Sequence, residues 1–452
     1  MKVTFRILAL LLALILFVGC NAANTSYATD ASTDAPTDAP TDAPTDAPTD
    51  APTDAPEKES EKATDGAEDE PQIPEGSVLS ADLGKYTIVV DDASGGEVKT
   101  LSKSLLDTFN YELGLSATLG YDENTEVSEY EILIGETDRP ETEAFDELID
   151  YGFCGYAAVG KKIVILGSDD EYTEMAIVLF ASLVLLERDT AAEKFMTSED
   201  VHIVDATNML SVMSYNLKVA NAYNSGTAVL TMIKNYMPYL LGVQEASDDW
   251  MSALDNGLSN YGYEYVGLGR DTNDSGERSA IFYRADKVEL LDTKTFWLTD
   301  TPDKVSKVDG ANCNRIVTVA TFRRISDDKI FTYANTHLDH STADIRIQQI
   351  DFLDTYVKDF ANGDFIVTGD FNLGTMGSEY AHLLDIGYEN CSKLAKYARG
   401  RDDNTFTGGS LIDFCFRNGD SFEPYFYTVC DELIGGKVPS DHHPIFLMLD
   451  LE

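Results

Sequence analysis

Six short motifs in the second half of the chain carry the side chains best suited to chemistry, and they follow one another in a fixed order. They are SYNL, VQEA, NTHLDH, GDFN, LIDF and SDHHP, beginning at positions 214, 243, 335, 369, 411 and 440. Each places an Asn, Glu, His or Asp at the end of an apolar run or in the turn after it. Together they supply what hydrolysis of a phosphoester requires: carboxylates for a divalent cation, donors for the phosphate and a base for water.

The clearest candidate metal ligand is Glu245. It follows the apolar run Tyr239–Val243 and is expected to enter the site at a strand end. A carboxylate in that position suits Mg²⁺ or Mn²⁺, which bind oxygen ligands and retain several waters. A lone Glu after a strand is usually a solvated turn residue, so the metal role depends on the complete motif set.

His442 and Asp413 have the properties of an acid/base pair. Asp413 ends the apolar pair Leu411-Ile412, from where it could meet His442 across the fold. A carboxylate that binds an imidazole fixes its tautomer and raises its pKa. His337, in NTHLDH, is expected to donate to the substrate phosphate. For an isolated histidine a structural role would be the better prediction.

GDFN brings two polar side chains to one place. Gly369 allows the backbone to turn sharply after the apolar run FIVT. Asp370 and Asn372 are two residues apart, which puts both on the same side of an extended segment. An ordinary Asx turn is the alternative interpretation.

The segments that must position these side chains are short apolar runs typical of buried strands, among them LSVMSYN, LLGVQE, FTYANTH and FIVTGDFN. With its six motifs in order, the segment 209–452 resembles the endonuclease/exonuclease/phosphatase superfamily. The resemblance implies a catalytic domain at 207–452 with two β-sheets packed face to face and helices on both outer sides. This is a four-layer α/β/β/α sandwich with the site at one edge.

The resemblance also implies roles for single residues. Asp370 would orient or deprotonate the attacking water, and Asn372 would donate to the phosphate. Asn216 and Asp441 would lie beside the metal.

Two further roles come from the deoxyribonuclease branch of the superfamily. A Glu that orients the phosphate-binding His matches Glu277 in GERSAIFYR, and an Arg that contacts phosphate matches Arg315 in CNRIVTV. An arginine is well shaped for bidentate contact with phosphate, although surface pairing is the common alternative.

The first 20 residues predict an export signal. Lys2 and Arg6 precede an apolar run, Leu8 to Val18, that is too short for an ordinary membrane span. Its end, FVGC, resembles a bacterial lipoprotein signal in which Cys20 becomes the lipidated first residue. A plain secretory signal with an incidental cysteine is the alternative. We therefore expect an exported protein, lipid-anchored at the outer face of the bacterial membrane or extracellular.

A linker and a smaller domain are predicted between the signal and the sandwich. Thr33 to Pro56 is six copies of Thr-Asp-Ala-Pro, and this repeat predicts a disordered acidic linker over 21–78. Residues 79–206 show the alternating pattern of a small α/β domain. Within it, Tyr130 to Thr142 resembles an accessory domain of bacterial extracellular hydrolases, which suggests packing or carbohydrate contact.

The charge pattern limits the choice of substrate. The net charge is −46, and the chain has no strong cluster of Lys and Arg, which counts against long DNA or RNA. A small or membrane-associated phosphomonoester or phosphodiester is favoured, and we expect a monomer. A secreted nuclease and a catalytically inactive glycan-binding module remain alternatives.

A lipid phosphodiesterase should expose an apolar hairpin near its site. Thr295 to Leu298 (TFWL) is the candidate for such a hairpin, although packing is the better prediction for these residues.

Five cysteines follow Cys20, at positions 154, 313, 391, 415 and 430. They show no metal-binding spacing and are expected to be mostly reduced and buried, with one disulfide possible outside the cytoplasm.

Overall fold

The structure is a computed structural model that describes residues 75–186, 191–219 and 222–452. The predicted signal, Cys20 and the repeat segment lie outside the described residues. Among the helices in the described ranges, none has the length and apolar character needed to cross a membrane.

Eight α-helices are present in the described part of the chain, and we number them in chain order. They are α1 (Gly96–Leu113), α2 (Pro140–Asp146), α3 (Asp170–Phe180), α4 (Ala222–Lys234), α5 (Asp248–Leu258), α6 (Ala343–Ala361), α7 (Ser378–Asp385) and α8 (Cys391–Leu394). A π-helical turn, Ala181–Leu185, continues α3.

The strands fall into two groups along the sequence. The first group is β1 (Ser77–Leu79), β2 (Thr87–Val90), β3 (Thr118–Tyr121), β4 (Glu131–Ile134), β5 (Phe153–Val159), β6 (Lys162–Gly167), β7 (Lys194–Thr197) and β8 (His202–Asp205). The second group is β9 (Met209–Asn216), β10 (Leu240–Ala246), β11 (Tyr263–Val266), β12 (Gly269–Asp271), β13 (Ser275–Arg284), β14 (Val288–Trp297), β15 (Ile316–Arg324), β16 (Ile330–His337), β17 (Phe365–Asp370), β18 (Glu389–Asn390), β19 (Tyr397–Arg399), β20 (Asp413–Asn418), β21 (Phe422–Val429) and β22 (Ile445–Leu451).

The first group forms a six-stranded mixed sheet in the order β3-β2-β4-β6-β5-β8, and β1 pairs separately with β7. Strands β2, β3, β4 and β6 are parallel to one another. Strands β4 and β6 are buried along their whole length, as expected for a parallel sheet covered by helices on both faces.

The second group forms the two sheets of a sandwich. One has the order β11-β13-β10-β9-β22-β21-β19, with β12 added at β13, and the other has the order β14-β15-β16-β17-β20-β18. A continuous apolar core joins β9, β10 and β22 of the first sheet to Tyr333, Ile366 and Cys415 of the second. On the outside, α5 contacts β10 and β13, and α6 packs against β15 and β16. The predicted four-layer α/β/β/α sandwich with a smaller N-terminal α/β domain is confirmed.

The register of the second sheet aligns three site residues on adjacent strands. His337 lies opposite Asp370 across the parallel pair β16 and β17, and Asp370 lies opposite Asp413 across the antiparallel pair β17 and β20. Gly369 permits this close approach, because a Cβ there would lie 2.2 Å from the carbonyl oxygen of Thr336.

The first sheet brings its own site residues to the same edge. Asn216 ends β9 opposite Gln244 of the parallel strand β10, so Glu245 comes next on that strand. Strand β22 pairs antiparallel with β9 from Ile445 onward. The segment before β22, which carries His442, therefore reaches the end of β9.

The smaller domain packs tightly on the sandwich. Glu174 of α3 bonds Arg284 at the end of β13, with 3.0 Å between Oε2 and NH1. His202 of β8 stacks on Tyr156, with ring centroids 5.2 Å apart, and its other side contacts Tyr397 of the sandwich.

Candidate active site

The site is centred on one carboxylate oxygen, Oδ2 of Asp370. It lies 2.9 Å from Nδ2 of Asn216, 3.4 Å from Nε2 of His337 and 3.8 Å from Nε2 of His442. Asn216 and His442 come from one sheet, whereas His337 and Asp370 come from the other. The structure thus brings together four residues that the sequence placed in four separate motifs.

His442 is held by Asp413. Its Nδ1 lies 2.8 Å from Oδ2 of Asp413, and the ring of Phe406 packs on the imidazole with centroids 5.0 Å apart. Burial by itself lowers the pKa of His442, but the carboxylates of Asp413 and Asp370 outweigh burial and raise that pKa to about 9. At neutral pH the imidazole is therefore protonated, and its Nε2–H faces Asp370.

The pKa of Asp370 is raised to about 7, first because the carboxylate is buried and second because Asp413 is close to it. His442 and the amide of Asn216 offset only part of that effect. The buried carboxylates of Asp370 and Asp413 are thus only partly neutralised by nearby positive charge. A bound cation would be stabilised at such a place.

Glu245 and Asn216 form the other wall of the site. The Nδ2 atom of Asn216 lies 3.3 Å from Oε1 of Glu245 as well as 2.9 Å from Asp370. The amide nitrogen therefore stands between the two carboxylates, while the amide oxygen accepts from the backbone N–H of Lys218. Glu245 adopts a left-handed backbone with φ of 56°, an uncommon conformation for a residue with a side chain. Strain of this kind clusters at functional sites.

His337 and Asn372 form a second pair. Nδ2 of Asn372 donates to the carbonyl of Leu338 at 3.0 Å and lies 3.0 Å from Nε2 of His337. Burial, followed by the positive charges of Arg315 and Arg270, lowers the pKa of His337 well below its ordinary value, so the ring is neutral. Because the Asn372 amide donates to Nε2, the proton of the neutral ring lies on Nδ1.

A narrow cleft continues the site beyond His337 and contains Arg315. The Arg315 side chain is only 4% exposed, and its Nε has no hydrogen-bond partner. Its polar neighbours include Nδ1 of His340, 3.4 Å from Nη2, and Oδ2 of Asp339, 3.9 Å from Nε. A buried guanidinium with so few partners is prepared to bind an anion.

Glu277 also lines this cleft, but it holds an arginine and forms no hydrogen bond with His337. Both of its carboxylate oxygens accept from Arg270, at 2.8 and 2.7 Å. Burial raises the pKa of Glu277, and Arg270 offsets part of that effect. Arg270 was missed in the sequence because GLGRD carries no pattern that distinguishes a site arginine from a surface one.

Asp441 lies at the rim of the site and pairs with a lysine. Its Oδ2 bonds Nζ of Lys218 at 2.9 Å, and the side chain is 28% exposed. Lys218 is a second residue that the sequence did not reveal. Its φ of 60° places it at the tight turn after β9, and nothing in its sequence context separates it from an ordinary surface lysine.

The donor set suits a divalent cation. Glu245 and Asp370 present carboxylates on either side of the Asn216 amide, and oxygen donors of this kind are those that Mg²⁺ prefers. The ligating atoms of Asp370, Asp413 and His442 also lie within 4.8 Å of one another. Oδ1 of Asp413 is buried without a hydrogen-bond partner, a further sign of missing positive charge.

Comparison with known proteins agrees with this geometry. A sequence profile of the endonuclease/exonuclease/phosphatase family matches residues 213–442. A family member from Bacteroides thetaiotaomicron is 28% identical, with a TM-score of 0.51, over 54% of this chain and 98% of its own. One from Bacteroides vulgatus is also 28% identical, with a TM-score of 0.50, over 54% of this chain and 99% of its own.

A mannosyl-6-phosphatase from Bacteroides thetaiotaomicron is 28% identical with a TM-score of 0.48, and the similarity covers 53% of this chain and 99% of that one. A search of curated proteins finds no match.

The chain belongs to the endonuclease/exonuclease/phosphatase family. Members of this family are phosphoester hydrolases and generally depend on a divalent metal ion.

Proposed function

We propose that this protein is an Mg²⁺-dependent phosphoester hydrolase, a phosphatase or phosphodiesterase, that acts at the bacterial cell surface. The observation that carries the proposal is the convergence of Asn216, His337 and His442 on one oxygen of Asp370. The pKa of His442, about 9, lies above that of Asp370, about 7. Between these values one group can donate a proton and the other can accept one, as acid/base catalysis requires. A divalent cation held by Glu245 and Asp370 would neutralise charge on the phosphate.

The remaining roles follow from the chain's own side chains. Ionised Asp370 accepts a proton from the attacking water. The Nδ1–H of neutral His337 and the guanidinium of Arg315 hold phosphate oxygens. His442, protonated and fixed by Asp413, donates to the departing oxygen or to the phosphate. Each role requires the protonation state that the burial and neighbours of that residue already favour.

A small substrate is favoured over a long nucleic acid because the cations around the site are largely paired. Arg270 bonds Glu277, Arg278 bonds Asp248 at 2.6 Å, and Lys218 bonds Asp441. A nuclease uses such cations to bind successive phosphates along the backbone. Arg315, by contrast, is buried and its Nε has no hydrogen-bond partner among the described residues, which suits a single phosphate group.

The candidate lipid-inserting hairpin offers no support for a lipid phosphodiesterase. Phe296, Trp297 and Leu298 are 8%, 7% and 1% exposed, and Trp297 donates its Nε1–H to the carbonyl of Arg270. Phe296 and Leu298 belong to the apolar core, and Phe296 stacks on Tyr356 of α6. The membrane association that we propose therefore depends on lipidation of Cys20. For the smaller domain we propose a role in packing or in contact with carbohydrate.

The test is turnover by the segment Glu68–Glu452, whose described residues form one compact unit. Wild type and His442→Ala would each receive a sugar phosphate, a phosphoinositide, bis-p-nitrophenyl phosphate and plasmid DNA, with Mg²⁺ and with EDTA. His382→Ala is the matched control, because His382 also bonds an aspartate, Asp351, but on the surface. We expect metal-dependent turnover of a small phosphoester that His442→Ala lowers by about 10²–10⁴-fold.

Preferential cleavage of DNA, with binding that weakens steeply as salt rises, would favour the nuclease alternative. Absence of turnover on every substrate, together with binding of a glycan that His442→Ala leaves unchanged, would favour the inactive binding module.

A further inference from the structure

Two buried cysteines, Cys391 and Cys415, lie close together beside the site. Strand β18 pairs antiparallel with β20, with Glu389 opposite Arg417 and Asn390 opposite Phe416. Cys391 directly follows Asn390, at the point where β18 ends and α8 begins, and Cys415 directly precedes Phe416, so each cysteine is the chain neighbour of one member of this pair. Their thiols are close enough to hydrogen-bond, and both residues belong to the apolar core between the two sheets.

Thiols in hydrogen-bond contact can be joined by a disulfide when their Cα atoms lie about 4.4–6.8 Å apart. The contact between the Cys391 and Cys415 side chains, next to the paired residues Asn390 and Phe416, meets the first of these requirements. Two other core cysteines, Cys154 and Cys430, have different neighbours. Cys154 lies opposite Gly167 and Val204, and Cys430 bonds the carbonyl of Pro444 through its backbone.

We propose that Cys391 and Cys415 form a disulfide in the exported protein, and that this bond closes the loop that packs against His442. The inference uses the export predicted from the N-terminus and does not depend on which phosphoester is cleaved.

The loop between the two cysteines supports the catalytic pair directly. Thr405 lies within it, and its Oγ1 accepts from the backbone N–H of Asp413 at 3.1 Å, while its carbonyl accepts from that of His443 at 2.7 Å. Phe406, the next residue, covers the imidazole of His442. Cys415 is itself two residues after Asp413 on β20, so the bond would fix both ends of the segment that frames the Asp413–His442 pair.

The chemistry is a thiol–disulfide exchange. One thiolate attacks a disulfide oxidant of the exported compartment, either a small molecule or a protein, and releases one of the oxidant's sulfurs as a thiolate. The second cysteine then displaces the other sulfur. The protein loses two protons and two electrons, and the disulfide of the oxidant is reduced to two thiols. Because the thiols are deeply buried in the folded chain, the exchange takes place during folding, before the core closes.

Peptide mapping tests the proposal directly. The full chain would be reduced in denaturant, refolded in a glutathione redox buffer, alkylated in denaturant and digested with trypsin. The two cysteines fall in separate tryptic peptides, Asp359 to Lys393 and Asp402 to Arg417, and neither peptide has another cysteine. We expect the two peptides to be recovered as one cross-linked species that reductant separates, with Cys154 and Cys430 alkylated as internal controls.

Recovery of the two peptides separately, each alkylated, would overturn the proposal. So would a cross-linked protein that unfolds at a lower temperature than the reduced one, because a native bridge should raise the melting temperature by about 5 °C. Neither readout uses phosphoester turnover, so the proposal can fail while the proposed function stands, or the reverse.

Discussion

Nε2 of His442 lies 3.8 Å from Oδ2 of Asp370, so the imidazole faces a carboxylate on its free side while Asp413 holds its other nitrogen. The pKa of Asp370 is about 7 and that of His442 about 9. Between these values Asp370 is ionised and His442 is protonated. One group can then accept a proton and the other can donate one, as hydrolysis by water requires.

The first prediction is a bell-shaped pH dependence of kcat/KM. The acid limb reports ionisation of Asp370 near pH 7, and the alkaline limb reports loss of the His442 proton near pH 9. Because a nearby divalent cation stabilises the ionised carboxylate, the acid limb should move to lower pH as Mg²⁺ is raised. Rates measured across pH at two Mg²⁺ concentrations check this, and an acid limb that stays in place would show that the cation does not approach Asp370.

The second prediction concerns Asp413→Asn. The Asp413 carboxylate raises the pKa of His442 against the effect of burial, so its removal should lower that pKa. The alkaline limb should then shift to about pH 6.5 or below, and the rate at pH 8 should fall by about 10²-fold or more. Asp351→Asn is the control, because it removes the partner of the surface residue His382 and should leave the profile unchanged.

The third prediction is that Glu245→Gln weakens metal binding by about 10-fold or more. The amide keeps the shape of the side chain but removes the charge that faces the Asn216–Asp370 pair. Calorimetric titration with Mn²⁺ in a His442→Ala background measures binding without turnover. Glu289→Gln, at a surface pair with Arg323, should bind the metal as the parent does, and equal affinity in both variants would exclude Glu245 as a ligand.

Sequence patterns predicted the arrangement of the sandwich because its strands are buried apolar runs with polar residues at their ends. His337, Asp370 and Asp413 each end or begin such a strand, and strand pairing then aligns them. The pattern was less informative in the smaller domain. There α3 ends at Phe180 and the chain continues as a π-helical turn over Ala181–Leu185, and the apolar composition is the same in both, so composition does not reveal where one gives way to the other.

Sequence patterns did not predict which side chains of turns and short strands contact each other. The partner of Glu277 is Arg270, seven residues earlier, and that of Asp441 is Lys218, from a distant turn. Motif spacing identifies side chains that enter a site, but loop conformation decides which atoms meet. The same limit applies to Asn216, whose amide presents nitrogen to the two carboxylates and its oxygen to the backbone.

The fourth prediction is that Arg315→Lys raises KM by about 10–100-fold. Lysine keeps the charge but cannot offer the two parallel N–H groups of the buried guanidinium. If Arg315 contacts the phosphate mainly in the bound substrate, kcat should change less than KM. Steady-state kinetics with the phosphoester that the turnover test selects check this. Arg323→Lys, which alters an exposed pair with Glu289, should behave as wild type, and an unchanged KM in Arg315→Lys would remove this residue from the substrate site.

The fifth prediction concerns stability at the contact between the smaller domain and the sandwich. Burial raises the pKa of Glu174 to about 7, and Arg284 offsets only part of this because it is shared with Asp286. The pKa in the folded state thus lies above the ordinary value of 4.5. The folded protein therefore binds this proton more tightly than the unfolded chain. The resulting stabilisation is fully present below pH 4.5 and is lost as pH rises through 7.

Glu174→Gln should remove that pH dependence and raise the free energy of unfolding at pH 8 by about 1–3 kcal/mol. The amide stays neutral at every pH and can still accept from Arg284. Denaturant unfolding at pH 5 and pH 8 measures the difference, with the exposed Glu143→Gln as a control for loss of a charge in the same domain. A variant that loses stability at pH 8 would show that the ion pair with Arg284 outweighs burial of the carboxylate, and the sign of the contribution would reverse.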